Sequence, residues 1–188
     1  MRSLVAALLL AALPASALEI AGVKVPDTLP LDGKSLVLNG AGIRTKTFLA
    51  IKVYVGALYV TQRSTDPVAI VAADAPKALR LTLLRDVDKD SMLKAFREGI
   101  EANSPAQAAA LAPKLKQVEA AFPAEFREKQ VMLVSYVPGQ GATIAIEGGN
   151  TLTIEGKDFA DALFRIWLGP KPTDGGLEDL KAALLGGK

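Results

Sequence analysis

The sequence predicts an α+β domain built on a mostly antiparallel sheet, and three observations carry that reading. Runs rich in β-branched and aromatic residues, separated by turn residues, lie between 35 and 84 and recur from 131 to 154. Between them, from about Asp90 to Phe122, apolar residues recur at helical spacing. A second helical pattern follows Ile154. Blocks of strands alternating with blocks of helices describe α+β, whereas strand-helix-strand alternation would describe a parallel α/β sheet.

The first segment, MRSLVAALLLAALPASA, precedes that domain. It has a charged Arg2, an apolar run from Leu4 to Leu13, a helix-breaking Pro14 and the small-residue site Ala15-Ser16-Ala17, in the order of a secretory signal peptide. A membrane span needs roughly 20 apolar residues, so this run is too short, and no later segment is long and apolar enough. The expected organisation is a signal peptide over 1–17 and a single domain over 18–188, exported to the periplasm with Leu18 as mature N-terminus.

Each element then follows in order. Residues 18–34 carry Pro26, Pro30 and Gly33 and read as a strand or arm followed by turns. Ser35–Leu38 is a short strand ended by Asn39-Gly40, and Phe48–Val60 is a proline-free strand region. Val68–Val71 and Leu79–Leu84 are further strand candidates, the second alternating Leu79, Leu81 and Leu83 with Arg80 and Thr82. Met92, Phe96 and Ile100, four apart, form the apolar stripe of a helix. A second helix starts with Pro105 at its first position and a capping box of Ser104 and Gln107. Its stripe runs through Ala108, Leu111, Leu115, Val118 and Phe122, with Pro113 expected to kink or split it. VMLVSYV, ATIAIE and TLTIE, joined by glycine-rich turns, form a three-stranded meander. A helix carrying Phe159, Leu163, Ile166 and Trp167 closes at Gly169, and a short helix covers about Leu177–Leu185.

Composition narrows the chemistry. Removing Arg2 takes one from the 22 basic residues, leaving 21 against 20 acidic, a balance that gives no general attraction to nucleic acid or anionic lipid. An aromatic share of 5% supplies no base-stacking platform. The chain has no His and no Cys. A Ser-His-Asp triad, an imidazole base, a thiolate nucleophile and a zinc site therefore lack their groups, and no metal or cofactor is expected. Gly40-Ala41-Gly42 is not a dinucleotide fingerprint, because Thr45 stands where the third glycine belongs.

One stretch stands apart: LNGAGIRTKTFLAIKVYVGALYV, residues 38–60, places a glycine-rich step and one arginine before an apolar run. Together with LRDVDKDSMLKAFREGIEAN, YVPGQG and FADALFRIWLGPKP, it resembles the chalcone isomerase superfamily, in particular a bacterial chalcone isomerase-like branch of exported proteins. The resemblance covers most of the chain beyond about Pro30. It implies an open-faced β-sandwich, a large antiparallel sheet covered by a layer of helices with a cleft between the layers. In plant enzymes of the family the motif's arginine polarises the chalcone during ring closure, assisted by a strand threonine and by a helix tyrosine and asparagine. In the plastid fatty-acid-binding branch the arginine and a strand tyrosine hold a carboxylate.

Carried onto this sequence, the ligand-binding positions are Arg44, Tyr54, Phe96 and Asn103, with Thr173 as a further position. Tyr54 agrees with the fatty-acid-binding pattern and departs from the plant threonine. Phe96 lacks the hydroxyl that the ring closure uses. Physics sets a condition on the pair: ten residues of unbroken strand would separate Arg44 from Tyr54 by roughly 33 Å. They share a ligand only if the chain reverses between them, near Leu49. Lys52 falls on the Tyr54 face by period two and is expected to snorkel to water, while Tyr59 has the opposite parity and is expected in the core. Three functions are consistent with this. They are a non-catalytic binding protein for a fatty acid or similar apolar carboxylate, an isomerase of the chalcone isomerase type, and an accessory module for a protein partner. The Tyr54 and Phe96 departures favour the first.

Overall fold

The computed structural model describes residues 17–46 and 49–187. The signal-peptide reading of 1–17 thus lies outside the described residues, apart from Ala17. Strands β1 (Ala17–Ile20) and β2 (Val23–Pro26) form a hairpin, and β3 (Thr28–Leu31) leads into a long β4 (Lys34–Lys46) and β5 (Ile51–Val60). Then come α1 (Pro67–Ala72), β6 (Lys77–Leu83), β7 (Val87–Asp88), α2 (Lys89–Asn103), α3 (Pro105–Ala121) and β8 (Glu125–Phe126). The meander β9 (Val131–Val137), β10 (Gly141–Ile146) and β11 (Thr151–Ile154) precedes α4 (Lys157–Leu168) and α5 (Gly175–Leu184).

Seven strands form one antiparallel sheet in the order β11-β10-β9-β6-β5-β4-β3. Its two faces separate by parity. Leu58, Leu79, Leu81, Val134 and Ile144 point to the helices and form the main core with Phe96 and Ile100 of α2, Phe159, Leu163 and Trp167 of α4, and Leu180 of α5. Val55, Ala57, Tyr59 and Ala78 point the other way and pack with Val25 and Leu36. Tyr59, expected in the core, is fully buried there and its hydroxyl donates to Pro26 O at 2.9 Å. This is the expected open-faced sandwich, a large antiparallel sheet under one layer of helices.

Four local expectations give way to tertiary context. Val68–Val71 lies in helix α1, because Asp66 caps Val68 N and Ala69 N and Pro67 occupies the first turn. The capping box at Ser104 does not form: Ser104 makes no side-chain cap, and its Oγ is buried without a partner. Helix α3 is not split, and Pro113 lies inside it.

The fourth concerns Asn39-Gly40, which does not end the strand. β4 runs on for 13 residues with a bulge at this step. The glycines serve packing instead. A Cβ at Gly40 would lie 2.2 Å from Ala183 O, and one at Gly42 would lie 2.5 Å from Ala183 Cβ. A Cβ at Gly56, paired with Gly42 across the ladder, would lie 3.3 Å from Leu180. The three glycines form a groove into which α5 settles against the sheet, close enough at Gly40 and Gly42 that a side chain would displace it.

Candidate functional site

The site is built where β4 and β5 reverse. The reversal near Leu49 places Arg44 directly opposite Tyr54 in the ladder. The register then skips Val53, a bulge that changes which side chains face inward. Val53 and Tyr54 both line the interior, and Lys52 is exposed. The period-two placement of Lys52 beside Tyr54 is corrected by that single extra residue.

Arg44, Tyr54, Phe96 and Thr173 line one cavity of about 90 Å³ between the sheet, α2 and α4, with Trp167 and Leu177 among its other walls. Asn103 does not join them. Its Nδ2 donates to Gly99 O and Lys171 O, each at 3.0 Å, and its Oδ1 accepts from Lys171 N at 2.9 Å. These bonds tie the end of α2 to the segment after α4. A Cβ at Gly169 would lie 2.2 Å from Asn103 Oδ1, which explains the glycine there. Phe96 is a wall residue, fully buried, with its ring edge-to-face on Trp167 at 5.6 Å and on Phe122 at 5.5 Å.

The polar end of the cavity has a defined hydrogen-bond order. Trp167 Nε1 donates to the Tyr54 hydroxyl oxygen at 2.8 Å. Burial pushes the Tyr54 pKa up, only partly offset by the Trp167 hydrogen bond and the nearby Arg44 charge, so the phenol stays protonated. An oxygen that accepts from Trp167 keeps its own proton for an acceptor in the cavity. Arg44 is 7% exposed. Its Nη1 donates to Thr45 O, and its Nη2 pairs with Asp174 Oδ2 at 2.6 Å.

Trp167 lines the cavity and Asp174 pairs with Arg44, and sequence reasoning named neither as a candidate site residue. Trp167 read only as part of the apolar side of α4. Asp174 caps α5, accepting from Leu177 N at 3.0 Å. Nothing local tied it to an arginine 130 residues earlier. Desolvation raises the Asp174 carboxyl, but the Arg44 hydrogen bond and charge outweigh it and hold the pKa below the usual carboxylate range.

The cavity is not closed on every side. It shares Lys46, Val53, Val87 and Ser91 with an outer groove of about 230 Å³ that also reaches Arg85. Among the described residues, no cluster of carboxylates could hold a metal ion, and no helix is long and apolar enough to cross a membrane.

The sequence profile described as chalcone isomerase-like matches residues 17–186. No curated protein matches the chain by sequence. Among solved structures it is similar to the crystal structure of a fatty-acid binding protein of Arabidopsis thaliana. The TM-score is 0.72 at 17% identity, over 90% of this chain and 96% of that one. At that identity the likeness is one of fold.

Proposed function

The chain belongs to the chalcone isomerase-like family, and on that premise we propose that it is an exported, non-catalytic binding protein for a fatty acid or similar apolar carboxylate. The observation that carries this is a buried guanidinium beside a protonated Tyr54 hydroxyl, set in a mostly apolar cavity whose rim includes Lys46, Ser91 and Thr173. A guanidinium offers a planar fork to a carboxylate, and the tyrosine adds one donor. The structural neighbour described as a fatty-acid binding protein supports the same choice of ligand class.

Size sets the pose. Ligand sites usually run from roughly 300 to 1,000 Å³, so a cavity of about 90 Å³ takes a head group and a few methylenes. The remaining chain passes Val53 and Ser91, between β5 and α2, into the outer groove that shares those residues. The ring-closure reading receives less support, because Phe96 lacks the hydroxyl that the family's plant enzymes use and Tyr54 stands in place of their threonine. Calorimetric titration of decanoate and palmitate into the purified protein tests the proposal. Saturable binding that is lost in Arg44→Ala is expected, and equal binding by both proteins would overturn it. Export rests on Arg2, the Leu4–Leu13 run and Ala15-Ser16-Ala17. N-terminal sequencing of protein recovered from the periplasm should begin at Leu18, and retained Met1 would contradict it.

A further inference from the structure

Arg44 already holds a carboxylate. Asp174 Oδ2 sits 2.6 Å from Nη2, on the donor that an incoming carboxylate would seek. We propose that Asp174 is a specificity-determining competitor: an internal carboxylate that a ligand must displace from Arg44, so that only acids with a long apolar chain are retained. The inference rests on the carboxylate-binding reading above and names which members of that class the site accepts.

The two partners are unequally placed. The Arg44 side chain is 9% exposed and is fixed by its own strand through Thr45 O, whereas the Asp174 side chain is 36% exposed. Asp174 can turn toward water and be solvated there, but Arg44 cannot follow it. Exchange of one carboxylate for another leaves the charge at Arg44 unchanged, so the head group alone gains little. What distinguishes a ligand is its tail: each methylene moved from water into the cavity favours binding by roughly fourfold. Acetate and other short acids bring no such gain and lose to Asp174, which is present at a high effective concentration. Asp174 is held there by the α5 N-terminus, where Gly176 leaves no room for a Cβ against Thr45 O and Leu177 forms part of the cavity wall.

Displacement also couples binding to protons. The charged groups facing Asp174 are Arg44 and Lys46 of β4, with the Tyr54 hydroxyl of β5 beside them. In the free protein the first two favour the ionised carboxyl. Once displaced, Asp174 loses the Arg44 bond and gains an anionic neighbour, so it protonates more readily. Affinity for an anion that does not itself titrate should therefore rise as pH falls.

Decane-1-sulfonate and butane-1-sulfonate remain anions throughout and serve as probes. Binding is measured by calorimetry between about pH 4 and 7 on the full chain and on Asp174→Asn, in which the amide oxygen can still cap α5. Thermal melts establish that both are folded, and Asp174→Ser provides a second uncharged cap. The expected result is roughly five- to thirtyfold tighter decanesulfonate binding in both variants, with measurable butanesulfonate binding and a flattened pH profile. Unchanged or weaker binding by the folded variants, with the wild-type pH profile retained, would overturn the competitor role while leaving the binding reading intact. Failure of every probe, decanoate included, to bind any of the proteins would overturn the binding reading and this inference with it.

Discussion

Arg44 and Tyr54, ten residues apart in the chain, are direct partners across the β4–β5 ladder, and both face one cavity. The reversal between them turns an extended separation of roughly 33 Å into the distance of a cross-strand pair. One carboxylate can then meet both side chains.

The first prediction concerns that pair. Arg44→Ala should weaken binding of a long-chain acid by about 2–5 kcal/mol, much of it from the ligand charge left unpaired. Arg44→Lys should recover only part of this, because an ammonium lacks the fork. Tyr54→Phe should cost about 1 kcal/mol of affinity, as it removes one donor to the ligand, while the buried Trp167 N–H that loses its acceptor lowers the stability of free and bound protein alike. Calorimetry on all three variants, each verified as folded, checks the ranking. A larger loss for Tyr54→Phe than for Arg44→Ala would contradict it.

The second prediction separates Asn103 from the ligand. Its side chain is committed to Gly99 and Lys171 backbone groups. Asn103→Ala should lower stability by about 1–3 kcal/mol, since backbone groups lose their partners. Ligand affinity should stay within about twofold of wild type, which is roughly 0.4 kcal/mol. Urea unfolding paired with ligand titration measures both, and a selective loss of affinity with stability intact would return Asn103 to the site.

The glycine groove yields the third. Gly42→Ala puts a methyl 2.5 Å from Ala183 Cβ and should cost about 1–3 kcal/mol as α5 is pushed off the sheet. Gly175→Ala, whose added Cβ meets nothing within 4 Å, should be tolerated and serves as the control. Because Leu177 and Asp174 travel with α5, hydrogen exchange should show increased opening around 174–184 in Gly42→Ala alone. Equal melting temperatures for the two variants would refute the docking role.

Lys77 supplies a prediction about pH. It is 2% exposed, and its Nζ donates to Ile70 O, Val71 O and Ala73 O at 3.0, 2.9 and 2.7 Å, closing the C-terminal end of α1. Burial, reinforced by the Lys157 charge, lowers its pKa to about 8. Between about 8 and the ordinary lysine value the unfolded chain binds the proton that the folded protein has released. Stability should therefore rise with pH across this window, by up to about 3 kcal/mol if other groups stay silent. Tyr59 and Tyr136, whose pKa values burial raises to about 12, act in the opposite sense only above the ordinary tyrosine value near 10. Denaturant midpoints measured from about pH 7.5 to 10 should climb in wild type and stay flat in Lys77→Met. A falling wild-type curve would show that the amine is not neutralised there.

Much of the fold was legible in the sequence because it depends on periodicity. The Leu79, Leu81, Leu83 alternation and the Met92, Phe96, Ile100 stripe each name the face that must be buried, and both faces meet in the main core. Val68–Val71 was misread because four β-branched and apolar residues say nothing of the cap before them, and Asp66 with Pro67 decided the helix. Arg44, Tyr54 and Phe96 were found through the family motif, and their meeting in one cavity required the reversal near Leu49, where the sequence carries no glycine, proline or asparagine from 45 to 50.

What remained belonged to contacts between distant segments. The NGAG step could be recognised in the chain, but only the arrival of α5 from the other end explains why side chains are missing there. Asn103 could be aligned with a site position, yet its bonds to Gly99 and Lys171 turn it away from the cavity. The charge state of the site was hidden for the same reason. Local propensity and period depend on neighbours a few residues away, whereas the Arg44–Asp174 pair joins residues 130 positions apart and exists only once the sheet and its helices have packed. The sequence alone determined that this chain builds a helix-covered antiparallel sheet with an arginine ahead of an apolar strand; tertiary packing decided that the arginine is buried, faces Tyr54, and already holds a carboxylate.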